Sequence, residues 1–368
     1  MNIFNNIFKN KKQLSEVTDT RQDSLNNKED TEKIINLDKN DIATLNNEKN
    51  ILNDVNEKSV LTINEENATV EEIKFQEKKH KEHVKENKSI NDKFNMNMDD
   101  NNYFKKDNTM LKKIIAIANQ KGGVGKSTTA VNLTSYLGYF GYKTLIIDID
   151  PQSNSTSGLG IIHDSEKPSI YNIIIGGAEV EKVKIKTEFL NLEIIPSSIQ
   201  LAGAEVELVT SMKREYKLKE ALDKIKNNYD YMIIDCPPAL GLLTINALSA
   251  ADEVIIPIQC EYYALEGLGQ LLNTIQLVKN NLNSNLEIAG ALMTMYDPRI
   301  KLADQVIEEV KKYFSNKIYN TIIPRNVRLS EAPSYGKPIL HYDPDCKGAQ
   351  AYKSFAKEVI KNGTKRIG

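Results

Sequence analysis

One segment constrains this chain more than any other: a β-branched run that passes directly into a glycine-rich turn and then into a helical repeat. It reads Ile114-Ile-Ala-Ile-Ala-Asn-Gln-Lys-Gly-Gly-Val-Gly-Lys-Ser-Thr-Thr129, and Ala130, Leu133, Leu137 and Phe140 continue it at helical spacing. A glycine motif alone says little; a strand before it and a helix after it make the context specific. Gly122, Gly123 and Gly125 let backbone N–H groups wrap closely round phosphate oxygens. The helix start adds the positive end of its dipole. Lys126 is placed to reach the β- and γ-phosphates of a nucleotide, and the Ser127 hydroxyl to ligate Mg²⁺. The backbone from Lys121 through Gly122, Gly123, Val124, Gly125, Lys126, Ser127 and Thr128 is therefore the expected nucleotide cradle. Against the usual GxxxxGK[ST] pattern, Gln120 stands where a glycine belongs, and an additional lysine, Lys121, opens the loop.

Two further runs end in carboxylates. Thr144-Leu-Ile-Ile-Asp-Ile-Asp-Pro-Gln152 carries Asp148 and Asp150. Spaced by two, they are expected on one face, at the C-terminal edge of the sheet where ligands bind. Either could instead cap the following turn. Tyr231-Met-Ile-Ile-Asp-Cys-Pro-Pro238 ends in Asp235, which reads as a carboxylate holding Mg²⁺. The prolines force an extended exit from that strand. Cys236 has no histidine near it in sequence and reads as packing, not as a nucleophile.

Similar β-branched runs recur at Leu192–Pro196, Glu253–Ile258, Leu286–Met293 and Thr321–Ile323, with helical stretches between them. Apolar strands alternating with helices predict an α/β fold: a doubly wound, mostly parallel sheet of about seven to eight strands. No internal repeat is visible.

Composition divides the chain near residue 110. Residues 1–110 contain 22 Asn, no Gly and no Pro, and carry a net charge of −4 against +2 for the remainder. Their scattered apolar residues cannot offset the entropy of ordering, so 1–110 is expected to be a disordered extension preceding a nucleotide-binding domain over 111–368. Val70–Lys88 has the composition of a transient helix. At the start, Ile3, Phe4, Ile7 and Phe8 share a helical face before Lys9, Lys11 and Lys12; this reads either as a frayed terminus or as a short surface-docking helix. Three cysteines without metal-ligand spacing argue against a disulfide framework or a zinc site. No apolar run reaches the roughly 18 residues of a membrane span, and the start lacks the pattern of a secretory signal. A cytoplasmic protein is the expectation.

Several blocks together resemble the ParA/MinD family of P-loop ATPases with a deviant Walker A motif. They are NQKGGVGKSTTAVNL, LIIDIDPQSNSTSGLG, YMIIDCPPALGLLTINAL, VIIPIQCEYYALEGL and PRNVRLSEAPSYGKPI; the last two narrow the likeness to the Soj branch. The resemblance implies ATP and Mg²⁺ as ligands and an ATP-dependent homodimer in which Lys121 reaches the partner's phosphates. It assigns Asp150 to the attacking water, Asp148 to the Mg²⁺ surroundings, and Pro151 and Gln152 to a loop that senses the γ-phosphate. Pro324 to Asn326 would line the adenine pocket, and Glu261 would help shape the nucleotide and dimer surface.

The same resemblance implies that Arg299 and Arg328 bind duplex DNA without regard to sequence, and that a ParB-like centromere-binding protein stimulates hydrolysis and releases the nucleoid-bound dimer. Phosphate contact needs charge, not base-edge geometry. A MinD-like membrane-cycling ATPase is the alternative reading. That class ends in a basic amphipathic helix, whereas Phe355–Gly368 here is interrupted by Gly363 and has little apolar surface. The chain departs from compact Soj proteins in its long first segment, which shows no pair of amphipathic helices joined by a glycine turn, so no DNA-reading role is transferred to it.

Overall fold

The computed structural model describes residues 112–162, 166–261, 267–314 and 317–364. Residues 1–111, with the apolar start and the transient helix expected over Val70–Lys88, lie outside them.

Among the described residues the strands are β1 (Lys113–Ile117), β2 (Thr144–Asp148), β3 (Ile185–Lys186), β4 (Leu192–Ile195), β5 (Tyr231–Asp235), β6 (Glu253–Gln259) and β7 (Glu287–Thr294). They form one sheet in the order β3-β4-β2-β5-β1-β6-β7. Every pairing is parallel except β3 with β4. The helices are α1 (Lys126–Tyr139), α2 (Asn154–Gly158), α3 (Ile170–Ile174), α4 (Val180–Val183), α5 (Leu201–Leu208), α6 (Lys217–Leu222), α7 (Leu242–Ala250), α8 (Leu268–Asn281), α9 (Lys301–Phe314), α10 (Val327–Glu331), α11 (Ile339–Tyr342) and α12 (Lys347–Thr364).

Both faces of the sheet are covered, so its central strands are apolar throughout instead of alternating with polar residues. In β1, Ile114 and Ala116 join the cluster under α3 and α5 to α9. Ile115 and Ile117 join the opposite cluster under α1 and α12. Burying each such aliphatic side chain stabilises the fold by roughly 1.5–3 kcal/mol. Helix α1 is wedged between the sheet and α12 and is buried around most of its circumference. Its Thr129 hydroxyl meets Tyr352 Oη at 3.1 Å.

Two local expectations need correcting. The Thr321–Ile323 run is not a strand. It follows the edge of β7 through isolated bridges at Ile318 and Pro324. Tyr319 N donates to Ala291 O and Ile323 N to Met293 O, so four residues advance against two and the ladder cannot continue. At the other edge, the two-residue antiparallel β3 is too short for a periodic signal in sequence.

Gly160 (φ 72°) and Gly336 (φ 62°) meet where α2 rests on the Ala332–Tyr335 turn. A Cβ on Gly336 would sit 2.5 Å from Gly160 Cα. Gly336→Ala therefore combines left-handed strain with a backbone clash and is expected to destabilise the domain by about 2 kcal/mol or more. A urea midpoint equal to that of the parent chain would contradict this contact.

Candidate functional site

β1, β2 and β5 lie side by side, and their C-terminal ends open into a cavity of about 390 Å³. That is within the size range of small-molecule sites. Its lining includes Gly122, Gly123, Gly125, Lys126, Ser127, Thr128, Asp150 and Gln152, so the glycine loop and the loop after β2 face one another across it.

The loop is held open for a ligand. Gly125 takes φ 88° as the N-cap of α1, a conformation side-chain-bearing residues avoid. It offers no side-chain cap, and the first turn holds no acidic residue. The first N–H groups of α1 and the positive end of its dipole are thus left for an anion. Two polar residues fix the loop from outside. Asn119 donates to Pro257 O at 2.7 Å and accepts from Lys121 N at 2.9 Å. Thr294 donates to Val124 O at 2.9 Å.

Lys126 is buried beneath the loop, its Nζ 3.2 Å from Lys121 O. Burial lowers its pKa, while the Asp235 and Asp150 carboxylates act the other way and favour the ammonium. Lys121, by contrast, is half-buried and is not part of the cavity lining.

The carboxylates separate. β2 stops at Asp148, whose Oδ1 turns back to accept from Asp150 N at 3.1 Å. Asp150 thus lies two residues beyond the end of the strand. Only Asp150 lines the cavity, with Oδ1 accepting from Gln152 N at 3.0 Å. Asp148 stands behind it, fully buried, its Oδ2 accepting from Thr156 N and Oγ1. Burial, and next the neighbouring Asp235 carboxylate, push the Asp148 carboxyl up. Asp235 is also fully buried and is likewise pushed up by burial, against the hydroxyls of Ser155 and Ser127, which lower it. Its Oδ2 accepts from Ser155 Oγ at 2.7 Å. Its Oδ1 has no hydrogen-bond partner. An orphaned carboxylate oxygen beside the Ser127 hydroxyl suits a hydrated divalent cation. Burial drives the Cys236 thiol up, leaving it un-ionised and inert, as expected of a packing residue.

The cavity is also lined by Met295, Ala332, Pro333 and Lys337, none of which sequence reading assigned to the nucleotide site. Met295 takes φ 52°, unusual for a non-glycine residue. Neither Pro324 nor Asn326 is part of that lining. Pro324 bridges to Tyr296, and Asn326 caps α10 by accepting from Leu329 N at 3.3 Å. Glu261 is ion-paired with Arg325 at 2.8 Å.

The Tyr296–Pro324 bridge brings the segments bearing Arg299 and Arg328 alongside one another. Both guanidinium groups are solvent-facing and internally paired. Arg299 clasps Asp297 with bonds of 2.9 and 2.6 Å and holds that carboxyl at about 2. Arg328 meets Glu331 at 2.9 Å and Asp343 at 3.3 Å. No helix among the described residues is long and apolar enough to cross a membrane.

Sheet order and phosphate cradle together put the domain in the class of P-loop NTPases. Residues 112–288 match a family described as an AAA domain. The chain is 61% identical over 251 residues to the sporulation initiation inhibitor protein Soj of Bacillus subtilis, spanning 68% of this chain and 99% of that protein. It is 51% identical over 252 residues to the chromosome partitioning protein ParA of Myxococcus xanthus, spanning 68% and 89%. Among solved structures, a cobyrinic acid a,c-diamide synthase from Mycobacterium smegmatis with bound ADP and magnesium aligns with TM-score 0.60 at 37% identity, over 68% of this chain and 95% of that one. A putative plasmid partition protein from Borrelia burgdorferi bound to AMPPNP aligns with TM-score 0.59 at 28% identity, over 68% and 99%. The chain belongs to the Soj/ParA family of chromosome-partitioning ATPases.

Proposed function

We propose that this chain is an ATP-switched DNA-partitioning ATPase. The observation that carries the reading is the cradle itself: an uncapped helix start, a buried Lys126 beneath it, and Asp150 across the cavity. ATP seats its phosphates on the amides from Gly122 to Thr128, with Lys126 neutralising the β,γ-bridge region. Ser127 and Asp235, with the Asp148 carboxyl behind them, would hold Mg²⁺, which would supply charge neutralisation on the phosphate oxygens. Asp150 orients a water for in-line attack on the γ-phosphorus, the bond to ADP breaks, and phosphate leaves. Lys121, lying outside its own cavity, reaches the phosphates of a second copy, so an isolated chain hydrolyses slowly. The adenine lies beyond the phosphate cavity, against the stretch from Pro324 to Asn326.

The ATP-bound pair binds duplex DNA through Arg299 and Arg328 on each copy, and a ParB-like partner stimulates hydrolysis and release. Pairing doubles the number of phosphate contacts. Each arginine already has an internal carboxylate partner, so DNA must compete for it; because phosphate contact releases counterions from the duplex, binding weakens with salt. Cosedimentation with DNA and with anionic vesicles, each with ATP or ADP, tests the reading. Pelleting with DNA only in ATP is the expected result; pelleting only with vesicles would favour the membrane-cycling alternative. Arg328→Glu should abolish DNA pelleting while leaving ATP-dependent pairing intact. Unchanged DNA affinity would remove Arg328 from the interface.

A further inference from the structure

Asp150 is held by more than its neighbours in the nucleotide cradle. Four residues close a ring of hydrogen bonds behind it. Asp148 Oδ1 accepts from Asp150 N at 3.1 Å. Asp148 Oδ2 accepts from Thr156 N at 2.9 Å and from Thr156 Oγ1 at 2.7 Å. Thr156 Oγ1 accepts from Ser197 N at 3.0 Å, and Ser197 Oγ donates to Asp150 O at 2.7 Å. Asp148, Thr156 and Ser197 are each at most 1% exposed.

The ring pins both backbone polar groups of Asp150, its N–H through Asp148 and its C=O through Ser197, while the carboxylate faces the cavity. Three chain segments meet in it: the loop after β2, the short helix α2, and the exit of β4. Ser197 also leads to Ser198, whose Oγ lies 3.0 Å from the Ser169 Oγ that caps α3. A buried polar network of this kind specifies one arrangement: losing the Thr156 hydroxyl leaves Ser197 N without its acceptor, and losing the Ser197 hydroxyl leaves Asp150 O with Ser153 N alone. Displacing a reacting group by about 1 Å can lower a rate by about a hundredfold.

We propose that Thr156 and Ser197 are positioning residues for hydrolysis. They set where the Asp150 carboxylate stands, so the loop after β4 governs turnover without touching the nucleotide. This rests on the assignment of Asp150 to the attacking water.

The test compares steady-state ATP hydrolysis and ATP affinity for the full chain and its Thr156→Val, Thr156→Ser, Ser197→Ala and Asp150→Ala variants. Thr156→Val keeps the side-chain shape and removes the hydroxyl. The expected result is a kcat about tenfold to a hundredfold lower for Thr156→Val and Ser197→Ala, with ATP affinity within about threefold of the parent. Thr156→Ser, which restores the hydroxyl, should recover the parental kcat. Parental turnover in both Thr156→Val and Ser197→Ala, a parallel loss of affinity, or a serine variant as slow as the valine one would each overturn the proposal. Should the valine variant fail to fold, Ser197→Ala decides alone. Asp150→Ala separates the two levels: if it turns over normally, the assignment of Asp150 itself is wrong; if it is inactive while the hydroxyl variants are normal, only the positioning role falls.

Discussion

Lys126→Ala is expected to weaken ATP binding by at least about a hundredfold, beyond the range of an ordinary titration. Each hydrogen bond to a charged group is worth about 1.5–3 kcal/mol, and about 1.4 kcal/mol is tenfold in affinity. On the proposed function Lys126 meets the phosphates from a buried position, where the local dielectric is low. It also stands against the Asp235 and Asp150 charges, which in its absence would repel the incoming phosphates. Titration with a fluorescent ATP analogue checks the outcome. Affinity within about threefold of the parent would remove the lysine from the phosphate site.

Asp150→Ala is expected to lower hydrolysis by about a thousandfold, in the range attributed to a positioned acid–base group, while ATP still binds. The side chain lines the cavity without being part of the glycine loop, and its loss removes the acceptor for Gln152 N. The helix start, Lys126 and Ser127 are untouched, so binding and turnover should part company. A variant that hydrolyses ATP at the parental rate would refute the role of Asp150.

Much of the fold and the cradle could be read from local pattern. The glycine loop was legible because strand, turn and helix follow one another within about twenty residues, and fully covered strands leave continuous apolar runs. What escaped notice is non-local. Asn119 and Thr294 brace the loop through contacts with Pro257 and Val124, distant in sequence. The Thr156–Ser197 bond spans 41 residues, although the polar run Ser153–Ser157 directly after two aspartates was a usable signal. Asp148 and Asp150 were expected together at the site; only Asp150 lines the cavity, because β2 ends at Asp148 and a period-two pattern carries no information past the strand end. The Thr321–Ile323 run had strand composition but two residues too many for the β7 ladder. The wall at Met295, Ala332 and Pro333 comes from loops, where periodicity carries no information.

On the proposed function Lys121 is the residue on which the switch depends, and light scattering of the Asp150→Ala chain tests this directly. With ATP and Mg²⁺ present and hydrolysis blocked, the particle should have the mass of two chains, and adding Lys121→Ala should return it to one. A particle that keeps the mass of a single chain at saturating ATP would contradict nucleotide-gated pairing.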